Sequence, residues 1–255
     1  QKRIIFADIT KHCQMSRKGG NYQRKKMSNN NIKEYIKFSF NKSKKDYFSK
    51  EFQMNGIDVY IEEPLPKNVN IEKCLRYVFT KIPKYFLLNL NSIRVGQYDE
   101  FFERKINAFY KDGTIYVTNQ QDDNFDMIDD IMHEIAHSVE ELAKEEIYED
   151  MLIEREFLGK KKRILDLLKE YGYNVIGKEY STTKYNTEFD SFLFSDVKYP
   201  LLKNLSMGLF VSPYSLTSLR EYFATGFEEY FLGDKNYLKK ISPVLYSKIK
   251  SITNK

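Results

Sequence analysis

The residues best suited to chemistry in this chain are His133 and His137, separated by Glu134-Ile135-Ala136. On a helix, positions four apart lie one above the other on the same face, so both imidazoles can reach a single metal ion. Glu134 follows the first histidine directly and sits about 100° round the helix, close enough to take a proton from water held by that ion without being a ligand. This is the spacing of a zinc-dependent hydrolase, with two nitrogen ligands and a carboxylate general base. The chain has three histidines in all, and two of them fall in this pattern.

Such a motif needs a helix packed inside a domain. Ile128, Ile131, Met132, Ile135, Ala136 and Val139 supply an apolar face at helical spacing, and Asp129, Asp130, Glu140 and Glu141 are expected to supply a wet one. The helix should run over about residues 126–148, with a second over 150–171 after a break near Glu149. Upstream, Ile57–Ile61 alternates as a strand. Asn70 can cap a helix from Ile71 towards Leu88, which Pro83 kinks or ends early. Residues 92–96 read as a second strand, and 106–110 and 114–118 flank Lys111-Asp112-Gly113 as a hairpin. Residues 142–213 form a long helical and aromatic insertion. Its irregular part, 172–213, is either substrate-selecting structure or aromatic packing beneath a loop.

The motif leaves its third ligand open. Ser138-Val139-Glu140-Glu141 contains neither the glycine nor the histidine that metzincins place there, so a carboxylate is expected. One candidate is Glu156, with eighteen residues between it and His137. Its ordinary reading is one acid among several on a polar helix, where alanine would cost less than about 0.5 kcal/mol. The other candidate is Glu221, on a helix with Leu219, Tyr222, Phe223, Phe227, Tyr230 and Phe231 as apolar positions and Gly226 permitting close approach to another backbone. Its ordinary reading is the second acid of a capping box opened by Ser218.

His133-Glu134-Ile135-Ala136-His137 and Glu221-Tyr222-Phe223-Ala224, with Tyr214 seven residues before the glutamate, resemble the catalytic domain of anthrax lethal-factor-like zinc peptidases over roughly residues 56–250. The order of strand, helix, strand, hairpin and metal-binding helix is similar to the upper half of a zincin. The resemblance implies an α+β, zincin-like fold with a small mixed sheet, an active-site helix and a mainly helical C-terminal half. It implies Zn2+ on His133, His137 and Glu221, general-base catalysis by Glu134, stabilisation of an oxyanion by Tyr214, and a protein or peptide substrate. The chain departs from the family at Thr225, where a second acid is usual, and in the longer segment between the motifs. The reading from a different class is a catalytically dispensable zincin-fold module serving structure or binding in a larger assembly, and the intact Glu134 favours the enzyme.

Charge is segregated along the chain. Residues 1–50 hold fourteen Lys and Arg against three Asp and Glu, a surplus of eleven; with +5 for the whole chain, the remaining 205 residues carry −6. The first fifty residues lack a sustained apolar period and read as a basic arm, either solvated or in contact with an acidic partner, a nucleic acid or a membrane surface. The domain is expected over 51–255. Cys13 and Cys74 make no disulfide framework, and His12-Cys13 is too little for a second metal site. No apolar run is long enough to span a bilayer, which suggests a soluble protein. The chain begins at Gln1, as a processed or excised piece would, leaving open secretion or membership of a toxin-like or virus-like assembly.

Overall fold

In a computed structural model, which describes residues 49–255, two tight turns organise the sheet. Asn55-Gly56 and Asp112-Gly113 each place both residues in the left-handed region, with φ of 53° and 83° in the first pair and 49° and 77° in the second. Two successive positive φ values make the turn whose twist matches that of paired strands, and Asn-Gly and Asp-Gly are the dipeptides that tolerate it. The first turn joins β1 (Lys50–Met54) to β2 (Ile57–Ile61), and the second joins β4 (Ala108–Lys111) to β5 (Thr114–Thr118). With β3 (Ser92–Gly96) they form a five-stranded sheet in the order β1-β2-β3-β5-β4. The two hairpins pair antiparallel, whereas β2-β3 and β3-β5 are parallel. The fold is α+β with a small mixed sheet.

β1 is an addition to the expected elements. It begins at the end of the basic stretch, where exposed polar residues hide the alternation, and Asn55-Gly56 was its one local signal. The remainder of the basic arm, with His12-Cys13, lies outside the described residues. Lys50–Lys255 forms one folded unit. Among the described residues no helix is long and apolar enough to cross a membrane.

Helix α1 (Ile71–Lys81) starts where Asn70 accepts a hydrogen bond from the Lys73 amide. It stops well short of Leu88, because Ile82, forced out of helical geometry before Pro83, adopts φ −114° and ψ 151°. A 3-10 turn follows at Lys84–Leu87, and α2 (Asp99–Arg104) precedes β4. The motif lies on α3 (Asn124–Leu142), which ends six residues before the expected boundary and is followed by the short α4 (Lys144–Tyr148) and by α5 (Leu152–Glu170). Ile57, Val59, Ile61, Ile93, Val95, Ile115 and Val117 face α1 and α3 and are almost fully buried. Tyr110, on the edge strand β4, donates its hydroxyl to Glu141 Oε2 at 3.0 Å and so ties that edge to the last turn of α3.

Residues 172–213 are more ordered than expected. They contain a 3-10 turn (Gly177–Tyr180), α6 (Thr187–Ser191), a π-helical stretch (Phe192–Val197) and α7 (Tyr199–Ser206). Phe189 and Phe210 are buried with Leu193, Val197 and Leu202, whereas Tyr185 and Phe194 are exposed, so the aromatic content is packing only in part. Buried Lys161 pins the segment by donating to Glu179 Oε2 at 3.3 Å and to the Thr182 carbonyl at 2.9 Å.

A 3-10 turn at Pro213–Leu216 leads into α8 (Leu219–Leu232), followed by α9 (Lys235–Ile241) and α10 (Pro243–Thr253). α8 lies against α3 on one side and α10 on another. Gly226 permits the second contact, although its close neighbour is the Leu245 side chain and not a backbone: a Cβ there would collide with Leu245. Leu245 is fully buried and has little room to yield. Gly226→Ala is therefore expected to lower stability by about 1–3 kcal/mol, the usual cost of overpacking. Denaturant unfolding measures it, and an unchanged or raised midpoint would show that the α8–α10 contact is looser than described.

Candidate metal centre

α3 is fixed at its start by Asp123, whose carboxylate accepts from the amides of Phe125 at 2.7 Å and Asp126 at 3.1 Å. From Met127 to Val139 every residue except Asp129 is buried, because the sheet and α1 cover one side of the helix and α8 covers another. Of the expected wet face, Asp129 and Glu141 are exposed, but Asp130 and Glu140 are not. Asp130 is buried and accepts from Gln121 Nε2 at 3.0 Å. Glu140 is largely enclosed and accepts from the Tyr148 hydroxyl at 2.7 Å.

α8 starts at Ser218, whose hydroxyl accepts from the Glu221 amide at 3.1 Å. That is half of the capping box anticipated there. The Glu221 carboxylate, however, reaches across to α3: Oε2 lies 2.9 Å from His133 Nε2, and Oε1 lies 3.6 Å from His137 Nε2. The preceding 3-10 turn is clamped to α8 by Ser215 Oγ, 2.7 Å from Thr225 Oγ1. Thr225 also donates to the Glu221 carbonyl at 2.8 Å, so it braces the ligand-bearing turn. Tyr214, on this 3-10 turn, has its ring centroid 6.2 Å from that of His133. Glu134 is buried on α3 beside His133.

One ligand atom from each of His133, His137 and Glu221 can be chosen so that all three lie within 4.8 Å of one another. A tetrahedral ion with bonds of about 2.0–2.1 Å needs donors roughly 3.3 Å apart, between the two separations from Glu221 given above. Two imidazoles and a carboxylate, nearly closed to solvent, are a donor set that fits zinc. Glu156 is not part of it. Its carboxylate accepts from the Tyr222 hydroxyl at 2.8 Å and from the amides of Val244 at 2.9 Å and Leu245 at 3.0 Å, capping α10 from a distance.

Each histidine of the cluster has a distinct setting on its Nδ1. His133 Nδ1 lies 3.3 Å from Glu228 Oε2. Burial works against a charge on His133, but hydrogen bonds to Glu221 and Glu228 override it and carry its pKa up to about 10. His137 Nδ1 lies 3.4 Å from Glu140 Oε2 and accepts from Arg220 Nε at 3.0 Å. Burial drives His137 down to about 3; Glu221 opposes this, and the charges of His133 and Arg220 reinforce it. Burial also opposes the Glu221 carboxylate, yet His133, His137 and Arg220 hold it below its ordinary range.

Glu228, Glu140 and Arg220 were not singled out as site residues from sequence. Glu228 stands seven positions after Glu221, two helical turns on the same face, and Glu140 stands three after His137, so helical spacing was the available signal. No family model matches this chain, and neither does any curated protein or solved structure.

The capping role of Glu156 replaces the expectation of a silent surface acid. Ser242, at the cap position of α10, makes no side-chain capping bond; its hydroxyl accepts from Lys160 at 2.6 Å instead. Glu156→Ala would leave two helix-terminal amides and the Tyr222 hydroxyl without their acceptor. Hydrogen bonds to a charged group contribute about 1.5–3 kcal/mol each, and because Glu156 is only half-buried and water can replace part of what is lost, a loss of roughly 2–4 kcal/mol in denaturant unfolding is expected, with the His133–His137–Glu221 cluster untouched. A loss under about 0.5 kcal/mol would mean that water replaces the carboxylate without penalty.

Proposed function

We propose that this protein is a zinc-dependent endopeptidase of zincin-like architecture, in which His133, His137 and Glu221 hold the ion. The observation that carries the reading is the convergence of two buried histidines from α3 and the largely enclosed Glu221 from α8, with Glu134 on the same helix as the two histidines. A second support is β4, an antiparallel edge strand among the described residues that packs beside α3 and leaves one row of backbone groups able to pair with an extended peptide. The motifs that resemble lethal-factor-like peptidases point the same way.

Zinc in such a site supplies a Lewis acid and lowers the pKa of its water from about 15.7 to about 7. Glu134 accepts the proton of the attacking water and returns it to the leaving amine. Tyr214 donates a hydrogen bond to the oxyanion as the carbonyl becomes tetrahedral. β4 aligns the substrate backbone, and the burial of the two histidines keeps bulk water from competing with these contacts.

Metal binding should be linked to one proton. His133, with its pKa near 10, is protonated at pH 7 and presents N–H to both Glu221 and Glu228, whereas His137 is already neutral and Glu221 already ionised. Coordination by His133 must therefore displace its proton. Zinc affinity is expected to rise by about tenfold per pH unit between pH 6 and 9, with about one proton released per ion. Calorimetry in buffers of different ionisation enthalpy reads this directly, and release of no proton at pH 7 would mean that His133 is neutral in the metal-free protein.

Substitutions separate holding the ion from using it. Glu221→Ala should strip zinc under mild chelation, because two imidazoles alone hold it much more weakly. Glu134→Gln should retain about one zinc while losing nearly all peptide cleavage, and Tyr214→Phe should retain zinc with turnover lowered by roughly 10²-fold. Metal analysis with a peptide-library cleavage assay measures both. Cleavage by Glu134→Gln at the wild-type rate would overturn the mechanism, and full zinc occupancy in Glu221→Ala would overturn the site.

A further inference from the structure

The site is electrically lopsided. Next to His133 stands Glu228, about a third exposed, whereas next to His137 stands Arg220, about half exposed. Arg220 uses only Nε in its contacts, accepted by His137 Nδ1 at 3.0 Å and Glu140 Oε2 at 3.3 Å, and its terminal nitrogens make no hydrogen bond among the described residues. A guanidinium can form two parallel hydrogen bonds to a carboxylate through its outer edge, which here is left for a ligand. A second cation stands nearby. Arg104, at the end of α2, is exposed and lies 6.0 Å over the Phe109 ring of the edge strand β4, and it forms no ion pair among the described residues. That strand is the one proposed to align the peptide, which puts Arg104 beside the substrate path, and its charge also bears on His137. Tyr185 sits on a segment fastened to the start of α8, where the Leu219 amide donates to the Thr183 carbonyl at 2.8 Å. Two carboxylates here have partners: Glu140 with Tyr148 and Arg220, and Asp190 with the Tyr185 hydroxyl at 2.8 Å.

From this arrangement we infer that Arg220 and Arg104 make the His137 side of the cleft an anion subsite, which selects peptides carrying a carboxylate close to the scissile bond. The inference rests on the peptidase reading. It adds the substrate class: acidic peptides, with the carboxylate away from Glu228, since like charges would meet on the His133 side.

The test uses the zinc-loaded full chain with Glu134→Gln to prevent turnover. Fluorescent peptides of one sequence, carrying Glu, Gln or Lys at a single varied position and ending in either a free or an amidated C-terminus, are titrated by anisotropy. The Glu peptide should bind roughly fivefold to tenfold more tightly than the Lys peptide, with the advantage shrinking as salt rises. Arg104→Glu on the same background should abolish or reverse that order while zinc content and unfolding midpoint stay unchanged. A preference that survives amidation assigns the carboxylate to a side chain, and one that requires the free end assigns it to the peptide terminus. Equal binding of the Glu and Lys peptides, or an order unmoved by Arg104→Glu, overturns the subsite. If the wild-type protein cleaves peptides with no charge preference, the subsite falls and the peptidase stands. If nothing is cleaved while the charge order and its reversal persist, the peptidase falls and the anion site stands.

Discussion

The contact between His133 on α3 and Glu221 on α8 is the constraint around which this molecule is arranged. It joins a helix that belongs to the sheet to a helix that belongs to the C-terminal half. A buried carboxylate without a partner is costly, and so is a buried imidazolium, so neither helix can bury its ionisable group unless the other arrives in register. Much of the C-terminal half serves that arrival. The 3-10 turn before α8 is stitched to Thr225, Gly226 lets Leu245 of α10 press against the back of α8, and Glu156 fixes the start of α10 from α5. These contacts lie away from the ligand atoms, yet they determine where Glu221 stands.

What could be read from the sequence was what depends on local spacing. Two histidines four apart, a serine three before Glu221, and Asp-Gly between alternating runs each carry their geometry with them, and the structure has a helix, a cap and a hairpin at those places. What could not be read depends on which surfaces meet. Asp130 and Glu140 are acids, and polarity alone assigns them to solvent; α3 is instead covered on two sides, so both are enclosed and bonded. Glu156 looked ordinary because the amides it caps lie some ninety residues further along the chain. Aromatic residues in 172–213 likewise gave no regular period, since their packing comes from short helices too brief to display one.

The two histidines show how strongly surroundings outweigh residue type. Both are nearly closed to solvent, and burial alone would keep both neutral. His133 lies between two carboxylates, which raise its pKa, while at His137 burial, the guanidinium of Arg220 and the other imidazole outweigh Glu221 and lower it. The neighbouring His133, His137 and Arg220 hold the Glu221 carboxyl below its ordinary range in so enclosed a place.

The bond from Tyr110 to Glu141 is small, but it joins the edge strand to the same helix that carries His133 and His137. Strand pairing has a period of two residues, so a slip of one position turns every side chain of an added strand to the opposite face. If the protein is the peptidase proposed above, the tyrosine hydroxyl, by holding β4 against the last turn of α3, would give a peptide laid along that edge a reading frame. The carbonyls presented to the centre would then be every second one, and which one is cut would be a matter of phase as well as of fit.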